Sequence, residues 1–327
     1  MTTLVTGATG FLGSAITREL LRNGRKVKLL VRENADLRNI DGLDSELVKG
    51  DLRDKTSLKS AMKGCSTLYH AAAYYSLWDR NKKLIYDINV QGTRNILETA
   101  LELGLERVVY TSTVGCIGLS DNRTPTNEDY PMDPVTLSND YKISKFQAEK
   151  IALEMYDRGL PVVIVNPSTP IGPRDIKPTP TGKIVQDFLN GKIPAYLDTG
   201  LNLIDVADCA RGHILAEEKG RLGERYILGN KNMSLKEILL ALEKITGIKA
   251  PSIKMPYWVA YATGWFCESV SNLVTQKPPA VPLAGVKMAK YFMYFDSSKA
   301  IRELGLPQNP VEKALSQSVQ WFQKNRC

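Results

Sequence analysis

The sequence predicts an α/β protein built on a doubly wound parallel sheet, with a smaller C-terminal domain covering it. Three observations lead there. Short β-branched runs alternate with helical patterns through the first half, as strands joined by crossover helices do. A glycine-rich turn stands between the first strand and the first helix. After residue 166 the alternation gives way to a proline-rich stretch and mixed segments.

In chain order, "TTLVTG" (2–7) reads as a strand running into a glycine turn, and 11–23 as a helix ended by Gly24. "KVKLLVR" (26–32) and "ELVKGD" (46–51) are the second and third strands. A helix over about 55–63 leads to a fourth strand, "TLYHAAA" (67–73). One long helix, 84–104, precedes the fifth strand, "RVVYTST" (107–113), and a helix over 140–158 precedes the sixth, "PVVIVNP" (161–167). The stretch 167–182 holds five prolines and reads as irregular. Beyond it the pattern gives a helix opening at Asp205, a strand at 225–229, and helices over 234–246 and 310–325. The expected division is a first domain over 1–170, with 205–230 returning to its sheet, and a second over 171–327.

Bulk properties exclude several classes. No apolar run approaches the ~18 residues of a membrane span, and the N-terminus lacks a basic, then apolar, export signal. Five scattered cysteines (Cys65, Cys116, Cys209, Cys267, Cys327) without a C-x-x-C pair fit reduced thiols in a cytoplasmic protein. The net charge of +8 comes without a basic block, so a basic ligand cleft is a more economical reading than a nucleic-acid partner. The two histidines, His70 and His213, are far apart, and no metal site is expected. His70, alone at the end of the fourth strand, reads as structural. Neither a G-x-S-x-G nor a Walker A sequence occurs.

"TGATGFLG" (6–13) places Gly7, Gly10 and Gly13 at the strand-to-helix turn, with Thr9, Phe11 and Leu12 between and beside them. In a dinucleotide site such glycines allow a tight turn, close approach of backbone to pyrophosphate and close helix–strand packing. This is a Rossmann-type signature, with G-x-x-G-x-x-G spacing. Arg32 followed by Glu33 at the tip of the second strand mixes the two selectivity signals, an arginine for a 2′-phosphate and an acid for a 2′-hydroxyl. The reading favours NADP and leaves NAD open. Asp51 after the third strand suits either an adenine contact or a turn. The small residues Ala71, Ala72 and Ala73 let a cofactor lie against the backbone.

Tyr141 and Lys145, four apart, share one helix face. A free tyrosine titrates near ~10; a lysine one turn away would lower that pKa and suit the phenol to acid–base chemistry. "TST" (111–113) ends the fifth strand, at the edge of a parallel sheet where ligands bind.

Together with "NVQGTRN" (89–95), Asp51-Leu52, "HAAA" and "VNPSTPIGP" (165–173), these motifs resemble the extended short-chain dehydrogenases/reductases over essentially the whole chain. Within that superfamily the chain is most similar to the dihydroflavonol 4-reductase-like group. "NPSTPIGPRDIKPTPTGKIV" and "PAYLDTGLNLIDVADCARGHILA" look like hopanoid-associated sugar epimerases. The resemblance implies Tyr141 as acid–base, Lys145 as its ribose-binding partner, and Thr113 as the hydroxyl, with Ser112 as fallback. It also implies Leu52 among the cofactor-binding residues, Asn166 and Ser168 flanking the nicotinamide, and Asn89 shaping the pocket beside the fourth strand. Helix-start bonding explains Asn89 nearly as well. Asp205 and Asp208 match a family acidic pair, and helix capping explains them equally.

Three functions follow. The first is hydride exchange between NAD(P) and an alcohol or carbonyl of a bulky prenyl, hopanoid-related or flavonoid-like substrate. The second is sugar-nucleotide epimerisation with a retained NAD, for which Arg174, Lys177 and Lys183 would hold a diphosphate. The third is a non-catalytic cofactor sensor. Tyr257, Trp258, Tyr261, Trp265 and Phe266 in the substrate-covering half suit an apolar substrate, although a packed core helix is the plainer explanation. Residues 287–295, basic and aromatic, allow peripheral contact with a membrane but read more simply as strand or core. A homodimer is compatible with the resemblance.

Overall fold

The computed structural model describes residues 2–76, 78 and 81–325, so Cys327 lies outside the described residues. The first half contains β1 (Thr2–Thr6), α1 (Phe11–Arg22), β2 (Lys26–Val31), β3 (Glu46–Lys49), α2 (Lys55–Met62) and β4 (Thr67–His70). It continues with α3 (Lys82–Tyr86), α4 (Gly92–Glu102), β5 (Arg107–Thr111), α5 (Asp140–Asp157) and β6 (Val162–Pro167). The second half contains β7 (Thr169–Ile171), α6 (Pro180–Leu189), β8 (Gly200–Asp205), α7 (Val206–Lys219), β9 (Arg225–Leu228) and β10 (Lys231–Ser234). Last come α8 (Leu235–Thr246), α9 (Tyr257–Val270), α10 (Leu283–Met288), β11 (Phe292–Met293), α11 (Ser298–Leu304) and α12 (Val311–Lys324).

Seven strands form one parallel sheet in the order β3-β2-β1-β4-β5-β6-β9. The order reverses between β1 and β4, the crevice where such sheets take ligands. Register carries the ends of neighbouring strands to one edge: Thr6 lies beside Leu30 and His70, and Thr111 beside Val165. Alternate residues leave opposite faces of each strand. Val5, Val109, Val163 and Val165 join α1 and α7 in one core; Leu4, Val108, Val162 and Ile164 join α2, α4 and α5 in the other. Both faces are thereby covered, and each such side chain contributes roughly 1.5–3 kcal/mol by leaving water.

A second sheet pairs β8 with β10 on one side and with β11 and β7 on the other. Its core draws Phe188 from α6, Leu242 from α8, and Leu315 and Phe322 from α12.

Three expectations need correction. The stretch 167–182 is not wholly irregular, because Thr169–Ile171 forms β7 and Pro180 opens α6. Both prolines sit where the missing N–H is harmless: Pro170 is on an edge strand, and Pro180 is in a first helical turn. The long helix begins at Lys82, and a π-helical turn over Asp87–Gln91 separates α3 from α4. Third, strands end one to three residues early, at Thr6, Val31, Lys49, His70 and Thr111, and the residues left over form the loops described next.

Candidate active site

The loop after β1 is shaped by its glycines. Gly7 adopts φ +73°, and a Cβ there would stand 2.7 Å from the Ala71 backbone. A Cβ on Gly13 would stand 2.1 Å from the Gly7 carbonyl oxygen, so α1 can approach β1 this closely only with glycine there. Gly10 caps α1 without a side-chain bond, and no acidic residue occupies the first turn. The helix therefore presents uncapped N–H groups and its positive end to the crevice. Phe11 and Leu12, half-buried, form the first turn, and the Thr9 carbonyl accepts from Asn39 Nδ2 at 3.1 Å. Asn39 in turn accepts Arg18 on its carbonyl, and burial with the nearby Arg174 and Arg22 charges pulls the Arg18 guanidinium down. A cradle that only glycines allow, a helix start without a side-chain cap and clustered positive charge fit a pyrophosphate.

Around the expected adenosine end, the Arg32 side chain is exposed and has no hydrogen bond or ion pair among the described residues, whereas Glu33 pairs with Lys49 at 2.5 Å. Asp51 is held by Arg53 through two side-chain bonds and a backbone N–H, which lower its carboxyl below the usual range. The turn reading of Asp51 thus has a concrete basis. Leu52 is buried, and its carbonyl accepts from Asn95. Gly92 lets the helix approach it, since a Cβ there would meet Leu52 Cβ at 2.8 Å.

Past β4, Ala71 and Ala72 are half-buried and Ala73 is exposed; the Ala72 N–H donates to Thr6 Oγ1 at 3.2 Å. His70 lies between Thr6 Oγ1 (2.7 Å) and Thr93 Oγ1 (3.2 Å), and burial, then the Lys145 charge, pulls it down to about 3. It is a neutral structural histidine. Asn89 sits in the π-helical turn, where its amide takes both backbone groups of Tyr74 and donates to Ser144 Oγ at 3.0 Å. It ties the loop after β4 to the helix bearing Lys145, rather than starting a helix.

Asn139 caps α5 by accepting the Lys142 N–H at 2.9 Å, worth ~1 kcal/mol, and fixes the turn that carries Tyr141. Tyr141 is half-buried, and the Tyr75 ring packs edge-on against it with centroids 4.5 Å apart. Lys145 is buried: its Nζ donates to the Thr111 carbonyl (2.8 Å) and the Tyr110 hydroxyl (3.1 Å), pinning α5 to the end of β5. Burial pulls this ammonium down to about 8, with Cys116 and Glu149 acting the other way. The expectation that Lys145 lowers the Tyr141 pKa is corrected: burial, with the Tyr75 and Cys116 neighbours, pushes the phenol up. Two residues past the Lys145 anchor, Thr113 is half-buried, and its Oγ1 accepts the Gly115 N–H at 3.1 Å. Ser112 is buried and directs its hydroxyl to Cys116 Sγ at 3.5 Å.

Asn166 at the end of β6 donates to the Thr113 carbonyl and to Glu149, while its buried Oδ1 has no partner among the described residues. Ser168 Oγ is likewise buried and unpartnered. An amide acceptor and a hydroxyl left over near the strand ends suit the amide and ribose groups of a nicotinamide nucleotide. Asp205 caps α7 through Ala207, and Asp208 holds Asn309, so both serve helix and loop bonding. His213 spans Cys209 and Thr111 and is pulled down to about 4 by burial.

A cavity of about 340 Å³ adjoins the start of α5; Asn139, Asp140, Trp78, Leu283, Glu268 and Asn272 are among its walls. Trp78 donates to Asn272 Oδ1 at 3.0 Å. Tyr75, Trp78, Tyr110 and Asn272 were not foreseen, because no motif marks them; only the fold gathers them. The aromatic residues of α9 correct both expectations for that segment, since Trp258, Tyr261, Trp265 and Phe266 are exposed rather than in a core or cavity. Residues 292–295 supply β11 and the buried Phe295, in line with strand and core.

A glycine loop on β1, a switch point between β1 and β4, and a Tyr-x-x-x-Lys helix against the end of β5 define an enzyme of the extended short-chain dehydrogenase/reductase superfamily. Residues 3–229 match the NAD dependent epimerase/dehydratase family, and the chain belongs to it. Among similar proteins, one from Synechocystis sp., provisionally named dihydroflavonol 4-reductase, is 47% identical over 98% of this chain and 94% of its own. Sterol demethylase protein B of Methylococcus capsulatus is 33% identical over 99% of both chains. The crystal structure of gox2253 superposes with a TM-score of 0.88 at 42% identity, covering 99% of this chain and 98% of that one.

Proposed function

We propose that the chain reduces a carbonyl on a bulky, apolar substrate with NAD(P)H, and runs the reverse alcohol oxidation. The observation that carries this reading is the placement of the Tyr141 phenol, packed against Tyr75 on a helix that Lys145 pins to the end of β5 and whose start borders the cavity. A protonated phenol beside a carbonyl is a proton donor. When bound, the reduced nicotinamide supplies the hydride. Tyr141 gives its proton to the carbonyl oxygen and is reprotonated from solvent. Thr113, whose Oγ1 already accepts the Gly115 N–H, keeps its own proton free to bond the same oxygen. Lys145 spends two of its three N–H donors on Tyr110 and Thr111, which leaves the third to meet the nicotinamide ribose.

Gly7, Thr9, Gly10, Phe11, Leu12 and Gly13 would cradle the pyrophosphate, and Asp51, Leu52 and Ala71 to Ala73 would line the adenosine side. Asn89 would hold that wall in place, and Asn166 and Ser168 would meet the nicotinamide half. For the cofactor we favour NADP, since Arg32 is uncommitted and Glu33 is engaged by Lys49. Arg32→Ala should weaken NADPH binding at least ~10-fold while leaving NADH nearly unchanged, read by cofactor fluorescence; one lost charge-assisted contact is worth about that much. Equal effects on the two cofactors contradict the preference.

The relatives named for dihydroflavonol and sterol chemistry support a bulky ring substrate. Of the three cations considered for a sugar diphosphate, two are engaged elsewhere: Lys183 pairs with Asp187, and Arg174 lies over the Trp321 ring. The test is a cofactor-linked absorbance screen over prenyl alcohols, flavonoid-like and sterol ketones and sugar nucleotides, run with both cofactors. Net cofactor consumption with an apolar carbonyl or alcohol is expected. Sugar-nucleotide turnover without net consumption overturns the proposal.

A further inference from the structure

The helix α9 is inverted relative to an ordinary surface helix. Its inward stripe is small: Ala260, Gly264 and, two turns on and just past the helix end, Ser271 are buried, and a Cβ on Gly264 would already meet Val286 of α10 at 3.2 Å. Its large apolar side chains point outward at helical spacing. Trp258 is 72% exposed, Trp265 60% and Phe266 64%, with Tyr261 between them. The stripe continues into the turn at 271–275, where Leu273 is 81% exposed and Val274 73%. Folding normally buries such residues, and a contiguous exposed set marks a surface built for a partner.

We infer that α9 and the turn after it dock on an anionic phospholipid bilayer. Composition and charge select this occupant. Trp, Tyr and Phe are the side chains that settle at the headgroup level, where an apolar ring meets a wet boundary. The segment 251–293 carries four lysines (Lys254, Lys277, Lys287, Lys290) against one acid, Glu268, which is turned inward to accept the Leu283 N–H at 3.1 Å. Lys254 is paired with Asp198 and Lys287 is half-buried in the cavity wall, which leaves Lys277 and Lys290 exposed on the segments that follow α9 to meet lipid phosphates. A second copy of this chain would oppose the same lysines across a two-fold axis, which like charges disfavour. The aliphatic hydroxyls on the helix are already satisfied, Thr263 donating to the Val259 carbonyl and Ser269 to that of Trp265, so they do not demand water. No helix among the described residues is long and apolar enough to cross a membrane, so the contact is with the surface. Glu268 and Asn272, three and seven residues on from Trp265 along the same element, line the cavity beside α5, which docking would bring to the lipid boundary.

The test is vesicle sedimentation of the full chain, with phosphatidylcholine alone and phosphatidylcholine mixed with phosphatidylglycerol. The chain should bind the mixed vesicles, release them as salt rises, and bind the neutral ones far less. The triple variant Trp258→Ser/Trp265→Ser/Phe266→Ser should lose at least ~10-fold in partitioning, and Lys277→Glu/Lys290→Glu should remove the preference for anionic lipid. These side chains are exposed, so circular dichroism and cofactor titration should match the parent. Quenching of tryptophan fluorescence by brominated lipid, in the unsubstituted protein, gives a second readout independent of the variants. No binding to either vesicle overturns the inference, as does equal binding to both. Self-association abolished by the aromatic substitutions, without vesicle binding, would assign the surface to a second copy instead.

Discussion

Burial acts on Tyr141 and Lys145 in opposite chemical senses, keeping a proton on the phenol and easing one off the ammonium. Spacing alone shows that the two share a helix face; it cannot show that both are desolvated, nor that the ammonium is spent on Tyr110 and Thr111. That is why the sequence led to the pair but to the wrong sign for the phenol. The choice between Thr113 and Ser112 was open for the same reason, since it turns on which hydroxyl is buried against Cys116. The Lys145 shift also makes a stability statement. Its folded pKa, about 8, lies below the ordinary 10.5, so the unfolded chain binds the proton more readily between those values. Stability conferred by this residue is lowest below pH 8 and rises from there towards 10.5, by at most roughly 3 kcal/mol. Denaturant melts of the parent and Lys145→Met should therefore converge or cross in the parent's favour as pH rises from 8. A difference that does not change with pH contradicts the burial argument.

At the scale of elements, helices and strands were legible because their periods differ and their punctuation is strong, as with Gly24 after α1 or the Ser234–Glu237 capping box of α8. Their ends were less so. The residues just past Thr6, His70 and Thr111 continue the β-branched or small-residue pattern, yet leave the sheet to line the crevice. The π-helical turn at Asp87–Gln91 leaves no mark on the pattern either, because Asn89 gains its role from Tyr74 and Ser144, which only the fold brings near. The glycine loop offers the sharpest element-level prediction. Gly13→Ala forces a methyl into the Gly7 carbonyl, so it should cost about 1–3 kcal/mol by overpacking and abolish cofactor binding. Melts with cofactor fluorescence titration check this; an unshifted midpoint with intact affinity contradicts it.

Over the whole molecule, the parallel sheet and its two cores followed from strand and helix alternation, whereas the outward face of α9 did not, since an aromatic-rich helix reads the same whether it faces core or solvent. Burial of ionisable groups reaches beyond the site. His213, under the sheet between β5 and α7, is pulled down to about 4, while in the unfolded chain it titrates near 6.5. Between these values the unfolded state takes the proton, so stability falls on acidification by ~1.4 kcal/mol per pH unit for this group. His213→Gln should flatten the slope by that amount in melts from pH 6.5 down to 4.5, and an unchanged slope contradicts it. The central claim, that Tyr141 delivers a proton to a carbonyl while NAD(P)H is consumed, is tested most directly by stopped-flow oxidation of NAD(P)H with the best carbonyl from the substrate screen, comparing the parent with Tyr141→Phe. The account predicts a loss of at least ~10² in the reductive rate with cofactor affinity unchanged; a Tyr141→Phe enzyme that reduces the carbonyl at the parent's rate would contradict it.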